Sequence, residues 1–449
     1  MKEKLLELMQ ADNIDFVLLK ELLPWMNTVD IAEIFSELEK EKLVQLFRLL
    51  PKSLASDVFS FLASDEQQQI IERLSDREIG EIINNLFADD AADFIEEMPA
   101  DVVKRVLQTA TSEKRAIINH LLKYPEDSAG SIMTTEYVDL QEDTTVAEAF
   151  NEIRKTGVNK ETIYTCYVIK HDRLLVGTIT VKKMLLAQSD QQIGNIMNRQ
   201  PIFAHTSDDQ ETIAGMFKKY GLMTMPVVDN EQRLVGIITV DDIVQVIEEE
   251  TTEDIEKMHA LAPSDEPYLK TGIIQLAKNR IIWLLVLMLS ATITGIIISS
   301  FEDAISVLPI LVAFIPMLMG TGGNAGAQAS TLIIRGMAVG EISLKDVMRV
   351  LWREIRVASL CGLGLCSINI LRIYIMSDKT SQSIVVAIVV SITLFVTLLI
   401  AKSIGCLLPM LAKKIKMDPA VMATPLITTI VDAASLIVYF SIAKLFFKI

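Results

Sequence analysis

One carboxylate stands deep inside an apolar stretch: Asp432, in DPAVMATPLITTIVDAASLIVYFSIAKLF, with Thr424, Thr428, Thr429 and Ser435 close by in sequence. An unpaired carboxylate in hydrocarbon costs roughly 2.5 kcal/mol or more, so a residue of this kind points to function before packing. Carboxylate and hydroxyl oxygens together suit a hard cation. Mg²⁺ gives up its water reluctantly, and a wide ring of carboxylates, hydroxyls and carbonyls fits its hydrated form. No cluster of His, Cys or Met beside Asp432 suggests a softer metal. The alternative is a neutralised or helix-bridging Asp. Lys402 is no obvious partner, because it sits toward the end of its own apolar stretch and can extend its ammonium to the interface. A second polar feature is PMLMGTGGNAGAQAS, where Gly320, Gly322, Gly323 and Gly326 weaken a helix and Asn324 and Gln328 bring amides to membrane depth. Irregular backbone lining a wet cavity is expected there, against the alternative of close helix packing through small residues.

The frame for these residues is a set of five apolar stretches, roughly 273–299, 304–334, 347–375, 383–411 and 420–443, each long enough to cross hydrocarbon as a helix. The connector after the first, SSFEDAIS, has no Lys or Arg, whereas Arg335, Lys345, Arg349, Arg353 and Arg356 surround the next, and Lys413, Lys414 and Lys416 follow the fourth. Basic connectors stay in the cytoplasm, so a cytoplasmic N-terminus and an outer C-terminus are expected in a multi-pass protein of the cell membrane. Five spans enclose only one such carboxylate. A two-fold dimer, the commonest assembly, would bring two copies of Asp432 to a shared axis.

The first 270 residues carry 50 Asp and Glu against 27 Lys and Arg, and the remaining residues 8 against 15. An acidic surface of this size disfavours nucleic acid and favours cations, with an ordinary solvated face as the alternative. MKEKLLELMQADNID lacks the apolar core of a secretory signal, so this half is expected in the cytoplasm with its thiols reduced. Cys166, Cys361, Cys366 and Cys406 have no paired spacing and read as small buried residues. Residues 1–124 show helix punctuation every eleven to thirteen residues, at LASDEQ, LSDREIG, FADDAAD, MPADVV and ATSEKR. Ser64 with Gln67 and Ser75 with Glu78 fit capping boxes, and an all-α superhelical domain follows. Asp89 and Asp93 share a helix face and could offer carboxylates outward, while Asp90 alone reads as ordinary surface.

Residues 125–250 hold an internal duplication: IMTTEYVDLQEDTTVAEAFNEIRK with YVIKHDRLLVGTITVKKML is echoed by IMNRQPIFAHTSDDQETIAGMFKK with PVVDNEQRLVGIITVDDIV. Each copy reads as a helix, a β-hairpin and another helix, with Gly177 and Gly236 matched in the second strands. The pair resembles tandem cystathionine-β-synthase-type (CBS) domains, which form discs that often dimerise and sometimes bind adenine nucleotides. That resemblance offers Thr180, Lys182, Thr239 and Asp242 as ATP-contacting candidates, although Lys183 stands where the first copy would need Asp. Residues 241–270 read as an acidic connector helix with Asp242, Glu248, Glu249, Glu250, Glu253, Asp254 and Glu256 and only Lys257 and Lys270 against them. Charges about 5 Å apart repel by roughly 0.8 to 3 kcal/mol, enough in sum to move a domain.

In this order, acidic helical domain, α/β CBS pair, connector (plug) helix and five-span α-helical pore domain at 271–449, the multidomain chain resembles the MgtE family of magnesium transporters. YPEDSAGSIMT, TEDIEKM, GTGGNAGAQAS and MDPAVMATPLITTIVDAASLIVY carry the resemblance. It implies a homodimer in the lipid bilayer whose second and fifth spans line a Mg²⁺ pore. Pore residues are then Asp432, Thr424, Thr428, Asn324 and Gln328. It implies closure by cytosolic Mg²⁺, with sensor ligands at Asp89, Asp93, Asp209, Glu211, Asp242, Glu250, Glu253, Asp254 and, at the cytoplasmic mouth, Asp418. Three departures are notable: Thr424 and Ala327 replace the family's usual Asn, and Gly221 an acidic residue. Among alternatives, a less selective carrier of Co²⁺, Ni²⁺ or Mn²⁺ and a CBS nucleotide-sensing membrane protein remain open. An intramembrane zinc protease is excluded, because His120, His171, His205 and His259 all precede the first span and no H-E-x-x-H helix exists, and no enzyme is expected.

Overall fold

The computed structural model describes residues 15–264, 268–269, 271–376, 381–422 and 424–447, with backbone alone for residues 303, 304, 376, 381–383, 422 and 424. The chain forms two compact units, residues 1–247 and 248–449.

The first unit opens with nine short helices among the described residues, from Phe16–Leu22 to Ser112–Leu121. Their boundaries follow the sequence punctuation. At Ser75 the backbone N–H donates to Glu78 Oε2 at 2.8 Å, closing the expected box. The box expected at Ser64 and Gln67 does not form; one residue earlier, at Ala63, only its glutamate half is present, because alanine has no side-chain acceptor. Glu66 accepts from the Ala63 N–H at 3.1 Å, while Gln67 is buried and donates to the Phe59 carbonyl at 2.8 Å. Gln67 is on the inward face, so it satisfies a core carbonyl and is lost as a cap. Helix Thr28–Ser36 packs on Lys52–Ser60, that on Asp76–Asn85, and that on Ala100–Thr109. Phe35, Phe59, Ile71, Ile83 and Phe94 fill the resulting core.

The duplication is visible in hydrogen-bond register. Strand β1 (Asp139–Gln141) pairs parallel with β2 (Thr165–Ile169), which pairs antiparallel with β3 (Leu175–Thr180). Strands β4 (Ala204–His205), β5 (Thr224–Val228) and β6 (Leu234–Thr239) repeat this order. The register Thr165 to Thr180 and Val168 to Gly177 recurs as Thr224 to Thr239 and Val227 to Gly236, with an irregularity at the same place in both. The parallel strands β1 and β4, too short to show a period, are additions to the expected helix and hairpin. The matched glycines have a packing cause: a Cβ on Gly177 would stand 2.6 Å from Met197 Sδ, and one on Gly236 2.6 Å from Met133 Sδ. The Ile-Met repeats therefore exist to cover those glycines.

Among the described residues of the second unit five helices are long and apolar enough to cross a membrane: Ile273–Ser300, Pro309–Ala338, Leu344–Ile375, Ile384–Lys414 and Pro425–Phe447. The glycine run does not break the second: Ile315–Ala338 is one continuous helix. A Cβ on Gly322 would lie 2.7 Å from Thr397 Cγ2, one on Gly323 3.1 Å from Thr428 Cγ2 and one on Gly326 2.8 Å from Ile427 Cγ2. A Cβ on Gly405 would collide with the Gly326 carbonyl. Close packing of the second, fourth and fifth spans through small residues is thus what three of the four glycines do, and Gly320 alone faces open space. Lys402 also departs from expectation. Its ammonium is enclosed and lies 3.3 Å from Glu354 of the third span, with side chains only 7% and 11% exposed. A charge this far from the surface is held by a partner rather than by reaching water.

Candidate functional site

Thr428 and Asp432 lie one turn apart on the fifth-span helix, and both are half-buried. Thr428 and Thr429 each donate to the Pro425 carbonyl, at 2.9 and 3.0 Å, and Ser435 to the Val431 carbonyl at 2.6 Å. Their donors are thereby spent on backbone, leaving hydroxyl lone pairs as acceptors for a cation. Asp432 Oδ1 is buried with no hydrogen-bond partner among the described residues. Gly322 packs on Val431 and Ser435, and Gly323 on Thr428, which sets Asp432 at the depth of that glycine pair. Asn324 and Gln328, four apart on the second span, are both exposed, as is Gly320 one turn earlier. The amides therefore form a polar stripe on the outer side of this unit rather than lining an internal cavity. Thr424 begins the fifth-span helix, and its side chain lies outside the described residues.

A second acidic constellation lies in the first unit. Ala88 and Ala92 of helix Ala88–Glu96 share one buried core with the second CBS copy and with Ile243 and Val246 at the start of the connector helix, which brings the acidic residues of the former to Asp242. Asp89 is buried, not outward as expected, and burial, Asp90, Asp242 and Glu161 hold its carboxyl well above the usual range. Asp90 is not ordinary surface: burial and Asp242 push it up to about 6, although the Lys114 ammonium pulls the other way. Asp93 still reaches solvent, yet the protein around it, with Asp90, Glu96 and Asp242, pushes it up to about 7. Glu161 was not foreseen. It lies beyond the first CBS helix in a stretch with no acidic neighbour in sequence, and burial with Asp242 and Asp90 pushes it up to about 8. Its Oε2 is buried without a hydrogen-bond partner among the described residues. Such a cluster pays for ionisation in repulsion, and a divalent cation relieves it. Lys114, buried, donates to Glu136 at 3.1 Å and to the Leu86 carbonyl at 2.5 Å, tying the helical domain to the CBS pair beside these acids.

Asp209 and Glu211 stand at the start of another helix of the second CBS copy. Asp209 caps helix Gln210–Tyr220, accepting from the Glu211 and Thr212 N–H groups at 3.0 and 3.3 Å. The nucleotide candidates are used locally. Thr239 donates to Asp242 at 2.6 Å at the start of the connector helix, Thr180 accepts from the Lys183 N–H at 3.3 Å, and Lys182 is exposed. The connector helix is Val240–Met258, shorter than the expected 241–270. Ala260 takes a left-handed φ of 55° and the Leu261 N–H bonds back to the Glu256 carbonyl at 2.9 Å, which ends the helix. In the second unit Glu250, Glu253 and Asp254 lie on its last turns, half-buried. Asp254 is raised by burial and by Asp418 and lowered by Lys257 and Arg335. Among the described residues no three His, Cys, Asp or Glu side chains converge as a chelating set.

The family described as a divalent cation transporter matches residues 315–442, its intracellular N domain residues 26–127, and the CBS domain residues 129–190 and 193–249. The magnesium transporter MgtE of Thermus thermophilus is 35% identical over 436 residues, covering 95% of this chain and 94% of its own. That of Bacillus subtilis is 33% identical over 358 residues, covering 80% and 78%. The solved soluble part of a magnesium transporter is similar with a TM-score of 0.53 at 27% identity, covering 56% of this chain and 99% of that one. With these matches running through the helical domain, the CBS pair and the spans, the chain belongs to the MgtE family of magnesium transporters.

Proposed function

We propose that this multi-pass membrane protein conducts Mg²⁺ past Asp432 as a homodimer and is shut by the same ion bound to its cytoplasmic acids. The observation that carries the reading is the buried, unpartnered Asp432 Oδ1 at membrane depth, flanked by hydroxyls whose own protons are engaged. Among the described residues one chain offers one such membrane carboxylate and no chelating set, which suits an ion that keeps its water and is shared between two copies. The exposed Gly320, Asn324 and Gln328 stripe needs a polar neighbour in a bilayer, and a second copy supplies it. In the CBS pair, equivalent positions of both copies expose apolar side chains, Tyr164 with Met223 and Leu185 with Val244, a surface suited to the same two-fold contact. The basic connectors support a cytoplasmic first unit and an outer C-terminal end.

For closure, the ligand set we favour in the first unit is Asp89, Asp90, Asp93, Glu161 and Asp242, and at the mouth Glu250, Glu253, Asp254 and Asp418. Asp209 is a helix N-cap in this reading, and Glu211 a first-turn residue whose N–H it accepts. An ion that binds only the compact arrangement shifts the equilibrium by its differential affinity. The test is Mg²⁺ entry into vesicles reconstituted with the full-length protein and loaded with an indicator dye, beside calorimetric titration with Mg²⁺ and with ATP. Saturable entry and heat from Mg²⁺ are expected. Entry no faster than in empty vesicles overturns the reading, and heat from ATP alone would assign Thr180, Lys182, Thr239 and Asp242 to a nucleotide instead.

A further inference from the structure

Lys257 is the single basic residue of the connector helix, and its ammonium is engaged on two sides. Nζ lies 2.6 Å from Glu253 Oε1, one turn back on the same helix, and 2.8 Å from Asp418 Oδ2, in the segment between the fourth and fifth spans. The other oxygen of Asp418 accepts the Ala420 N–H at 2.8 Å, shaping the turn that leads into the helix carrying Asp432. An ionic chain thus joins the end of the connector helix to the base of the fifth span. Glu253 with Lys257 alone would be an ordinary pair on one helix face. The third partner on a different element makes it a tether, and Lys257 is only 23% exposed. The groups facing it are Glu253, Asp254 and Asp418, with Arg335 acting on Asp254 from the end of the second span. Lysine suits such a post, because its flexible stem and three donors hold two acceptors without a fixed fork.

We propose that Lys257 is a built-in cationic latch, whose ammonium holds the ground between the connector helix and the Asp418 turn that a divalent cation would otherwise bridge. The latch keeps the helix end docked at low cytoplasmic Mg²⁺, and an arriving divalent ion must displace or share it. Lys257 therefore lowers the amount of docking left for the ion to drive and weakens the ion's hold on Asp418. This rests on the proposed function, in which Mg²⁺ bound at Glu250, Glu253, Asp254 and Asp418 draws the connector onto the mouth and shuts the pore. Lys257→Gln keeps most of the length but removes the charge, and Lys257→Arg keeps the charge.

The experiment is amide hydrogen exchange over residues 250–258 of the full-length protein in detergent, without divalent ions and with MgCl₂, beside Mg²⁺ flux through the same proteins in vesicles. Without divalent ions, exchange is expected to be about two- to fivefold faster in Lys257→Gln than in wild type, the span of a modest ion pair, with Lys257→Arg near wild type. Added MgCl₂ should return Lys257→Gln to the wild-type rate. Equal exchange in Lys257→Gln and wild type without divalent ions, or loss of protection in Lys257→Arg equal to that in Lys257→Gln, overturns the latch. Failure of the gating reading shows separately, as wild-type flux that does not fall when Mg²⁺ is raised on the cytoplasmic side. The exchange comparison decides the latch in either case.

Discussion

A carboxylate withdrawn from water must be protonated, paired or bound to an ion, and the residues of this chain show the first two arrangements. Glu354 is paired with Lys402, and Asp418 with Lys257. Asp90, Asp93 and Glu161, pushed up to about 6, 7 and 8, hold protons that the unfolded chain would release. The sign follows: the folded first unit binds more protons than the unfolded chain between about pH 4 and pH 8. Without divalent ions its stability should therefore decline as pH rises through 6 to 8. Mg²⁺ favours the ionised carboxylates, so it should stabilise strongly at pH 8 and little at pH 5. Calorimetry of the full-length protein should show the transition of this unit raised by about 5 °C by Mg²⁺ at the higher pH; an equal shift at both pH values would detach the cluster from cation binding. Asp432 was singled out in sequence by a charge in an apolar run, Asp89 and Asp93 by their four-residue spacing, and Asp242 by the CBS resemblance. Glu161 was not, since only the fold brings it to Asp242.

At the scale of elements, apolar length identified the spans and Ser75 with Glu78 marked a helix start, because those signals are local. The glycine run misled for a physical reason. Low helix propensity is overridden where packing supplies the stabilisation, and the Gly326 carbonyl seated against Gly405 is that packing. Gly326→Val should therefore impair assembly of the second, fourth and fifth spans, costing about 1–3 kcal/mol as overpacking does, whereas Gly320→Ala meets open space and should leave stability unchanged. Thermal unfolding of the two purified variants separates them, and equal losses would contradict the packing assignment. The connector helix stops at Met258 because Ala260 turns left-handed, a feature with no signature in the acidic run before it.

For the whole molecule, the order of helical domain, CBS pair, connector and spans was readable because each has its own periodicity. The two-fold assembly was expected from the single membrane carboxylate and from the resemblance rather than from any periodicity, because assembly is a property of surfaces. The proposed orientation predicts that single cysteines at Ser300 and Lys414 label from opposite sides of the membrane, the first from outside; labelling of both from one side would contradict the five-span path. The central claim is that Mg²⁺ passes Asp432 and depends on its charge. Asp432→Asn keeps the shape of the side chain and removes that charge, so the most direct measurement is Mg²⁺ entry into vesicles holding equal amounts of folded wild-type or Asp432→Asn protein. The account predicts that the variant loses most of the flux, at least about tenfold, as expected when roughly 1.4 kcal/mol or more of ion stabilisation is removed; flux equal to wild type in the folded variant would contradict it.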